Sequence, residues 1–478
     1  MISRSILAPK SILRFLFSSF PYSLIASVTL LGQLALADNS FWQDNANLAK
    51  VISDQQQEIY QLETEFGRSH QSLVEPLSFL AKQQINANQF DEANATLDKA
   101  VQIVRINNGL FTGAQYDLLQ RQIENERIRD NWKFIRQSLE HLAWLYRKQF
   151  DGTANARVQR LMWLSDAYLE AVFEDSEEHA ALNLRKATQL NEVAIEVAAQ
   201  EAYVPAELAI QSHFSLLQKY YLESLGIRKG GRLSYQIREI VPDSGFLDKP
   251  KTALRKRFRG GLRTLDQAGE ILQASADYDA VAMAMIDLHT ADWKLLYNEM
   301  KDPAAEYLAV FNTLKQVGLD DEQLAELFAR PELLPSQNLI RVVNMKAPDN
   351  QQELLKVLAV SKSFPGYVRL HEAMPSTPWK QEDMQSITAT LTLEPTRKSG
   401  YWSNQKYHSS LAGSSQVSII EHSAADDASI RTAIDAINAL RFRPVLAAGK
   451  PIDQVLTIEL LYHGNNAEVE DHVLVSAR

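Results

Sequence analysis

From Phe41 to about Ala329, apolar residues recur at steps of three and four, the period of one face of an α-helix. Leu139, Leu142, Leu145 and Tyr146 form one such stripe; Leu161, Leu164, Tyr168 and Val172 form another. Turn-like stretches interrupt the pattern at Asn86-Ala87-Asn88, Asn107-Asn108-Gly109, Asp151-Gly152, Gly226 and Lys301-Asp302-Pro303. The spacing predicts helices of about 18–25 residues packed as antiparallel pairs. After Pro331-Glu332-Leu333-Leu334-Pro335 the texture changes. Residues 335–383, with Pro348, Pro365, Gly366, Pro375 and Pro378, read as an irregular linker holding one helix near Gln351–Val360. Beyond it the period drops to two.

One helix pair carries more than amphipathicity. Leu77, Leu80 and Ala81 precede a turn near Asn88-Gln89, and Phe90, Ala93, Leu97 and Ala100 follow it. Ala81 and Ala93 are twelve residues apart, Ala93 and Ala100 seven. Small residues where two helices cross let the backbones approach, and the seven-residue step keeps both alanines on one face. Pro76 suits a first helical turn, where its missing N–H costs nothing. The unit resembles the tetratricopeptide repeat, and a degraded second candidate spans Trp293 to Leu314, with Ala304, Ala305, Tyr307 and Phe311 on its second helix. No strict period links the two, so the expectation for residues 38–334 is an irregular helical-hairpin solenoid.

In the last hundred residues Ser386–Leu393 alternates like a half-buried strand, and Gln416–Ile420 reads as another. Asp426-Asp427 then opens a helix with Ile430, Ile434, Ile437 and Leu440 on one face. Arg441-Phe442-Arg443-Pro444 follows, then a turn at Gly449-Lys450-Pro451, then a strand through Val455–Tyr462. This order resembles the C-terminal domain of TonB-type proteins. The resemblance implies a small α+β domain over 384–478 that binds by adding a peptide strand to its sheet edge. Arg441, Phe442, Arg443, Pro444, Gly449 and Pro451 are expected to be fold determinants. Phe442 covers the sheet, Pro444 stops the helix, and the two arginines flank the helix's negative end.

Composition narrows the function classes. The 478 residues are 45% hydrophobic and 23% charged, with 49 Lys+Arg against 59 Asp+Glu for a net charge of -10. That is a globular chain and a poor candidate for binding nucleic acid by overall charge. The absence of cysteine excludes disulfides, thiol nucleophiles and Cys-ligated metals. Against the acidic background, residues 226–263, expected to interrupt the helices at Gly230-Gly231, Pro242, Pro250 and Gly260-Gly261, hold eleven bases and three acids. Arg255, Lys256, Arg257 and Arg259 are candidate contacts for an anionic partner; the competing expectation is a solvated loop and helix start.

Residues 1–37 contain Arg4, Lys10 and Arg14, no acid, and an apolar run ending Ala35-Leu36-Ala37 before Asp38. A basic start, an apolar middle and a small-x-small end predict a secretory signal peptide cleaved after Ala37; an uncleaved inner-membrane anchor is the alternative. Removing those three bases takes the net charge to -13. Export without cysteine suggests the periplasm of a Gram-negative cell.

Enzyme motifs are missing. The ten histidines form no H-E-x-x-H, and there is no G-x-S-x-G, Walker A loop or G-x-G-x-x-G. His289 and Asp292 share one helical face, but two ligands make no metal site. Trp293, Trp379 and Trp402 are ordinary core or interface residues on this pattern. The expectation is a non-catalytic, cofactor-free periplasmic adaptor that binds one or more envelope proteins, including an outer-membrane transporter or another component of a TonB system. A membrane-anchored, TonB-like energy transducer is the second reading, and a cell-wall or polysaccharide-active enzyme the third.

Overall fold

In the computed structural model the chain is described over 47–339, with breaks at 149–151, 202–203, 240–248, 276–278, 298, 300–302, 330 and 337–338. Beyond that it is described over 355–359, 368–370, 384–394, 410–411, 417–423, 427–452 and 454–463. The expected signal segment, including Ala35, Ala37 and Asp38, lies outside these residues. The protein is mainly α: helices in repeat-like succession, then a small strand-containing region at the C-terminal end. Two compact units divide at Gln149/Phe150.

The first unit contains α1 (47–66), α2 (Val74–Asn86), α3 (Phe90–Asn108), α4 (Tyr116–Ile128) and α5 (Trp132–Lys148), each packed on the next from α2 onward. The α2–α3 hairpin buries small residues on both of its helices. Ala81, Ala93, Leu97 and Ala100 are fully buried, Leu77 nearly so, and Phe90 is half-buried. Asn88 turns the chain in the left-handed region at φ 57°, which Asn tolerates better than most residues. Thr96 Oγ1 donates to Gln84 Oε1 at 2.8 Å, tying the two helices.

The second unit begins with α6 (Ala154–Glu174), α7 (Ala180–Gln200) and α8 (Ala206–Lys229). It continues through α9 (Gly231–Glu239), α10 (Pro250–Ala274), α11 (Ala280–Leu296), α12 (Pro303–Gln316) and α13 (Asp321–Phe328). Helices α6/α7, α7/α8, α8/α10, α10/α11 and α11/α12 form the packed pairs. Two expected breaks move. Gly226 is buried inside α8, and the chain turns instead at Gly230 and Gly231, where φ is +82° and +63°. Gly260-Gly261 does not interrupt α10 at all. A Cβ on Gly261 would lie 2.1 Å from the Trp293 ring, so that glycine is required for close approach of α10 and α11.

The strand region comprises β1 (Glu332–Leu333), β2 (Leu355–Ala359), β3 (Val368–Leu370), β4 (Met384–Glu394), β5 (Ser410–Leu411) and β6 (Val417–His422). Helix α14 (Asp427–Ala439) follows, then β7 (Phe442–Arg443), β8 (Leu446–Ala447), β9 (Lys450–Pro451) and β10 (Gln454–His463). The main sheet runs β3-β2-β10-β4-β5, with β6 also on β4. Ile387, Ala389, Leu391, Ile458 and Leu460 project to one face, where Ala433 and Ile437 of α14 cover them together with Leu440 and Phe442 just beyond its end; this is the period-two burial of a one-faced sheet. Two features depart from expectation. Leu355–Ala359, expected as helix, is a strand parallel to β10, and β3 pairs with it in the same sheet. The last strand β10 is central, paired with β2 over Ile458–Leu461 and with β4 along its length, so it offers no free edge over that stretch.

Candidate functional site

Strand β7 sets the geometry of the C-terminal region. Consecutive strand residues point to opposite faces. Phe442 faces the sheet core, and Arg443 turns the other way, toward the helices. There it is 1% exposed and grips Asp292 of α11. Arg443 Nε donates to both Asp292 oxygens at 3.1 Å, and Nη2 donates to Oδ2 at 2.5 Å. Tyr307 Oη, on α12, donates to Asp292 Oδ1 at 2.8 Å. Glu332 of β1 pairs opposite Arg443, and His289 Nδ1 lies 3.9 Å from Asp292 Oδ2.

Arg443 was expected beside the negative end of α14, and the structure corrects this. Only Arg441 takes that role, its Nη1 donating to the carbonyls of Asn438 and Leu440 at 3.2 and 2.7 Å. Arg443 is instead a charged plug between the sheet segment and the helices. Burial alone would favour its neutral form, but the Asp292 carboxylate outweighs that and holds the guanidinium above its ordinary value. Burial and the adjacent Arg443 keep His289 neutral, well below its usual range. Burial and the Asp292 charge push the Tyr307 hydroxyl up. The buried carboxylate thus faces one permanent cation, a phenol that keeps its proton and a neutral imidazole.

The same segment docks through apolar groups. Leu446 belongs to the helical core with Trp293, Tyr307, Leu314 and Phe328. Gly449, at φ +77°, rests so close to α12 that a Cβ would lie 2.6 Å from Leu308 Cδ1. Pro444 is buried and Pro451 half-buried. The Gly-Lys-Pro turn is therefore both a reversal and a contact with the helices.

The basic stretch divides in two. Arg257 faces inward, forming an ion pair with Glu223 and lying over the Tyr220 ring at 5.5 Å from its centroid. Thr188 Oγ1 donates to Glu223 Oε1 at 2.9 Å, and Tyr220 Oη donates to Glu192 Oε1 at 2.9 Å. A turn earlier on α8, Lys219 is fully buried, donating to Asp166, Asn191 and Ser215 at 3.2, 3.0 and 2.7 Å. These groups fasten α6, α7, α8 and α10 to one another. Arg257 is thus not available to an outside anion, whereas Arg255, Lys256 and Arg259 remain exposed. Near the α8–α9 turn a shallow depression of about 340 Å³ mixes Glu177 and Glu178 with Lys229 and Arg232.

In the first unit, large apolar side chains remain in water. Ile106 is 67% exposed, Leu110 62%, and Phe66 and Phe111 47% each. They gather where the α1–α2 and α3–α4 connections meet: Asn107 Nδ2 donates to the Ser69 carbonyl at 2.7 Å, and Phe66 stacks on His70. Phe111 meets Trp144 of α5 edge-on with centroids 5.0 Å apart. Sequence periodicity missed this patch because its members lie at helix ends, where no stripe continues.

Among the described residues no group of three or more His, Asp or Glu side chains is placed to hold a metal, and no helix is long and apolar enough to cross a membrane. No protein-family model and no curated protein matches the sequence. Among solved structures the chain is similar to a circular tandem repeat protein with novel repeat topology and enhanced subunit contact surfaces. Identity there is 16% and the TM-score 0.27, over 59% of this chain and 69% of that one. At so low a score the superposition specifies no shared topology.

Proposed function

We propose that this chain is a protein-binding scaffold of the cell envelope that carries no catalytic site. The observation behind this reading is the exposed cluster of Phe66, Ile106, Leu110 and Phe111 on an array of helical hairpins. Contiguous apolar surface of that kind marks a contact for another protein. The TonB-like order of β4, β6, α14 and β10 adds a second, finer element. Because β10 is central, strand addition falls to β6, which pairs only with β4 among the described residues and exposes Ile420. Export to the periplasm completes the proposal, with removal of residues 1–37.

The test is crosslinking in intact cells followed by purification of the full chain. The native protein should retain a discrete partner and begin at Asp38. Combined Ile106→Ser, Leu110→Ser and Phe111→Ser should abolish that partner while leaving the circular dichroism unchanged. A native chain that crosslinks to nothing, or a triple variant with undiminished crosslinking, would overturn the reading. An intact Met1 on protein released only by detergent would move the proposal to the anchored, transducer-like alternative.

A further inference from the structure

The outward face of α10 carries charge in an order that helix stability does not explain. Lys251, Arg255, Arg259 and Arg263 are all exposed and form no ion pair among the described residues. Four-residue steps at about 1.5 Å per residue place one cation every ~6 Å, a file of roughly 18 Å. Neighbouring cations at this spacing repel one another. They also lie toward the N-terminal end of the helix, where the backbone dipole favours acids; the first turn has no acid and the last turn no base. A surface selected only to solvate or stabilise this helix would show the reverse order.

The face also ends abruptly. At about 100° per residue the four cations sweep an arc of roughly 120°, and Asp266 and Glu270 fall inside that arc. Both acids are exposed. A broad anionic surface such as a bilayer would press against these carboxylates as well as the cations. A short linear anion can lie along the cations alone.

We propose that the Lys251–Arg263 face of α10 binds a short acidic peptide segment of a partner protein, with carboxylates spaced about 6 Å apart. Alternate residues of an extended chain, at roughly 6.6–6.8 Å, meet that spacing within the reach of an arginine side chain. Arg257, on the opposite side of the helix, is held by Glu223 and anchors the helix rather than the ligand. The proposal rests on the scaffold reading but uses a different surface from the apolar patch of the first unit.

The experiment uses the purified full chain and a fluorescein-labelled peptide with Glu at every second position, read by fluorescence anisotropy. Its Gln counterpart and phosphatidylglycerol vesicles are run alongside. The Glu peptide should bind with an affinity that falls as salt rises, and the Gln peptide should not bind. Combined Lys251→Ser, Arg255→Ser, Arg259→Ser and Arg263→Ser should weaken binding roughly tenfold or more and flatten the salt dependence. A charge-matched control, Lys50→Ser, Arg68→Ser, Lys82→Ser and Lys133→Ser, should leave it unchanged. Equal weakening by the two sets would reduce the effect to net charge and overturn the site. Binding of the vesicles without the peptide would overturn the choice of ligand. Failure of the native chain to bind the Glu peptide, with the envelope crosslink intact, would refute this inference and leave the scaffold reading standing.

Discussion

Removing one partner of the Arg443–Asp292 pair is the most informative perturbation of the fold. Arg443→Met keeps an unbranched side chain but withdraws three N–H donations from a carboxylate that is 3% exposed. Asp292→Leu leaves a buried guanidinium without its counter-charge and the Tyr307 hydroxyl without its acceptor. Leaving either charge uncompensated costs about 3–5 kcal/mol. Replacing both partners removes the desolvation penalty together with the attraction, so the double variant should cost far less than the sum of the singles, about 1–2 kcal/mol. Urea unfolding of the full chain and its three variants, compared at constant slope, gives the coupling energy directly. Hydrogen exchange of the β7 and α11 amides shows whether the loss is local to the docked segment. Single variants within about 0.5 kcal/mol of the native chain, or strictly additive losses, would refute the assignment of this pair as the docking contact.

Two further predictions follow from the packing. Gly261→Ala should cost about 1–3 kcal/mol or more, because its Cβ would strike the Trp293 ring, whereas Gly269→Ala should be neutral or stabilising with its nearest neighbour 3.5 Å away; paired urea midpoints decide, and equal tolerance at both sites would contradict the packing. Burial lowers the pKa of both His213 and His289, the latter well below 6.5. The unfolded chain therefore takes up protons near pH 6.5 that the folded one refuses. This stability is present above that pH and lost below it, by up to about 1.4 kcal/mol per unit for each residue. Urea midpoints from about pH 7.5 down to 5.5 should fall, and His289→Leu should remove its share of the slope; a flat profile in the native chain would contradict the buried neutral imidazole.

Much of the architecture is legible in the sequence because local patterning and tertiary packing agree. Alternation over Ser386–Leu393 and Val455–Tyr462, and the apolar face of Ile430, Ile434 and Ile437, each become the element their period implies. Disagreement appears where non-local contacts decide. Leu354-Leu355-Lys356-Val357-Leu358 suits a helix locally, yet parallel pairing with β10, about a hundred residues on, makes it strand. Gly260-Gly261 looks like a break, but Leu254, Phe258, Leu262 and Leu265 keep the helical period across it; that continuity was the available signal. Arg443 and Asp292 are 151 residues apart, and nothing local links them. The clue was Asp292 itself, an acid flanked by Ala291 and Trp293 in a helix of high apolar content. The exposed patch of the first unit and the basic face of α10 are surface features, and sequence periodicity registers burial rather than exposure.

The C-terminal strands and helix are part of the 150–478 unit, held by the Arg443–Asp292 plug, by β1 and β2 and by the Leu446 and Gly449 contacts. The most direct measurement compares purified fragments 150–478 and 384–478 by urea unfolding and amide hydrogen exchange. Fragment 150–478 should unfold cooperatively with β4, β10 and α14 protected. Fragment 384–478, lacking β1, β2 and the acid that neutralises Arg443, should show no protected amides. Cooperative folding of 384–478 alone, with exchange in β10 as slow as in the longer fragment, would contradict the claim and restore an independent C-terminal domain.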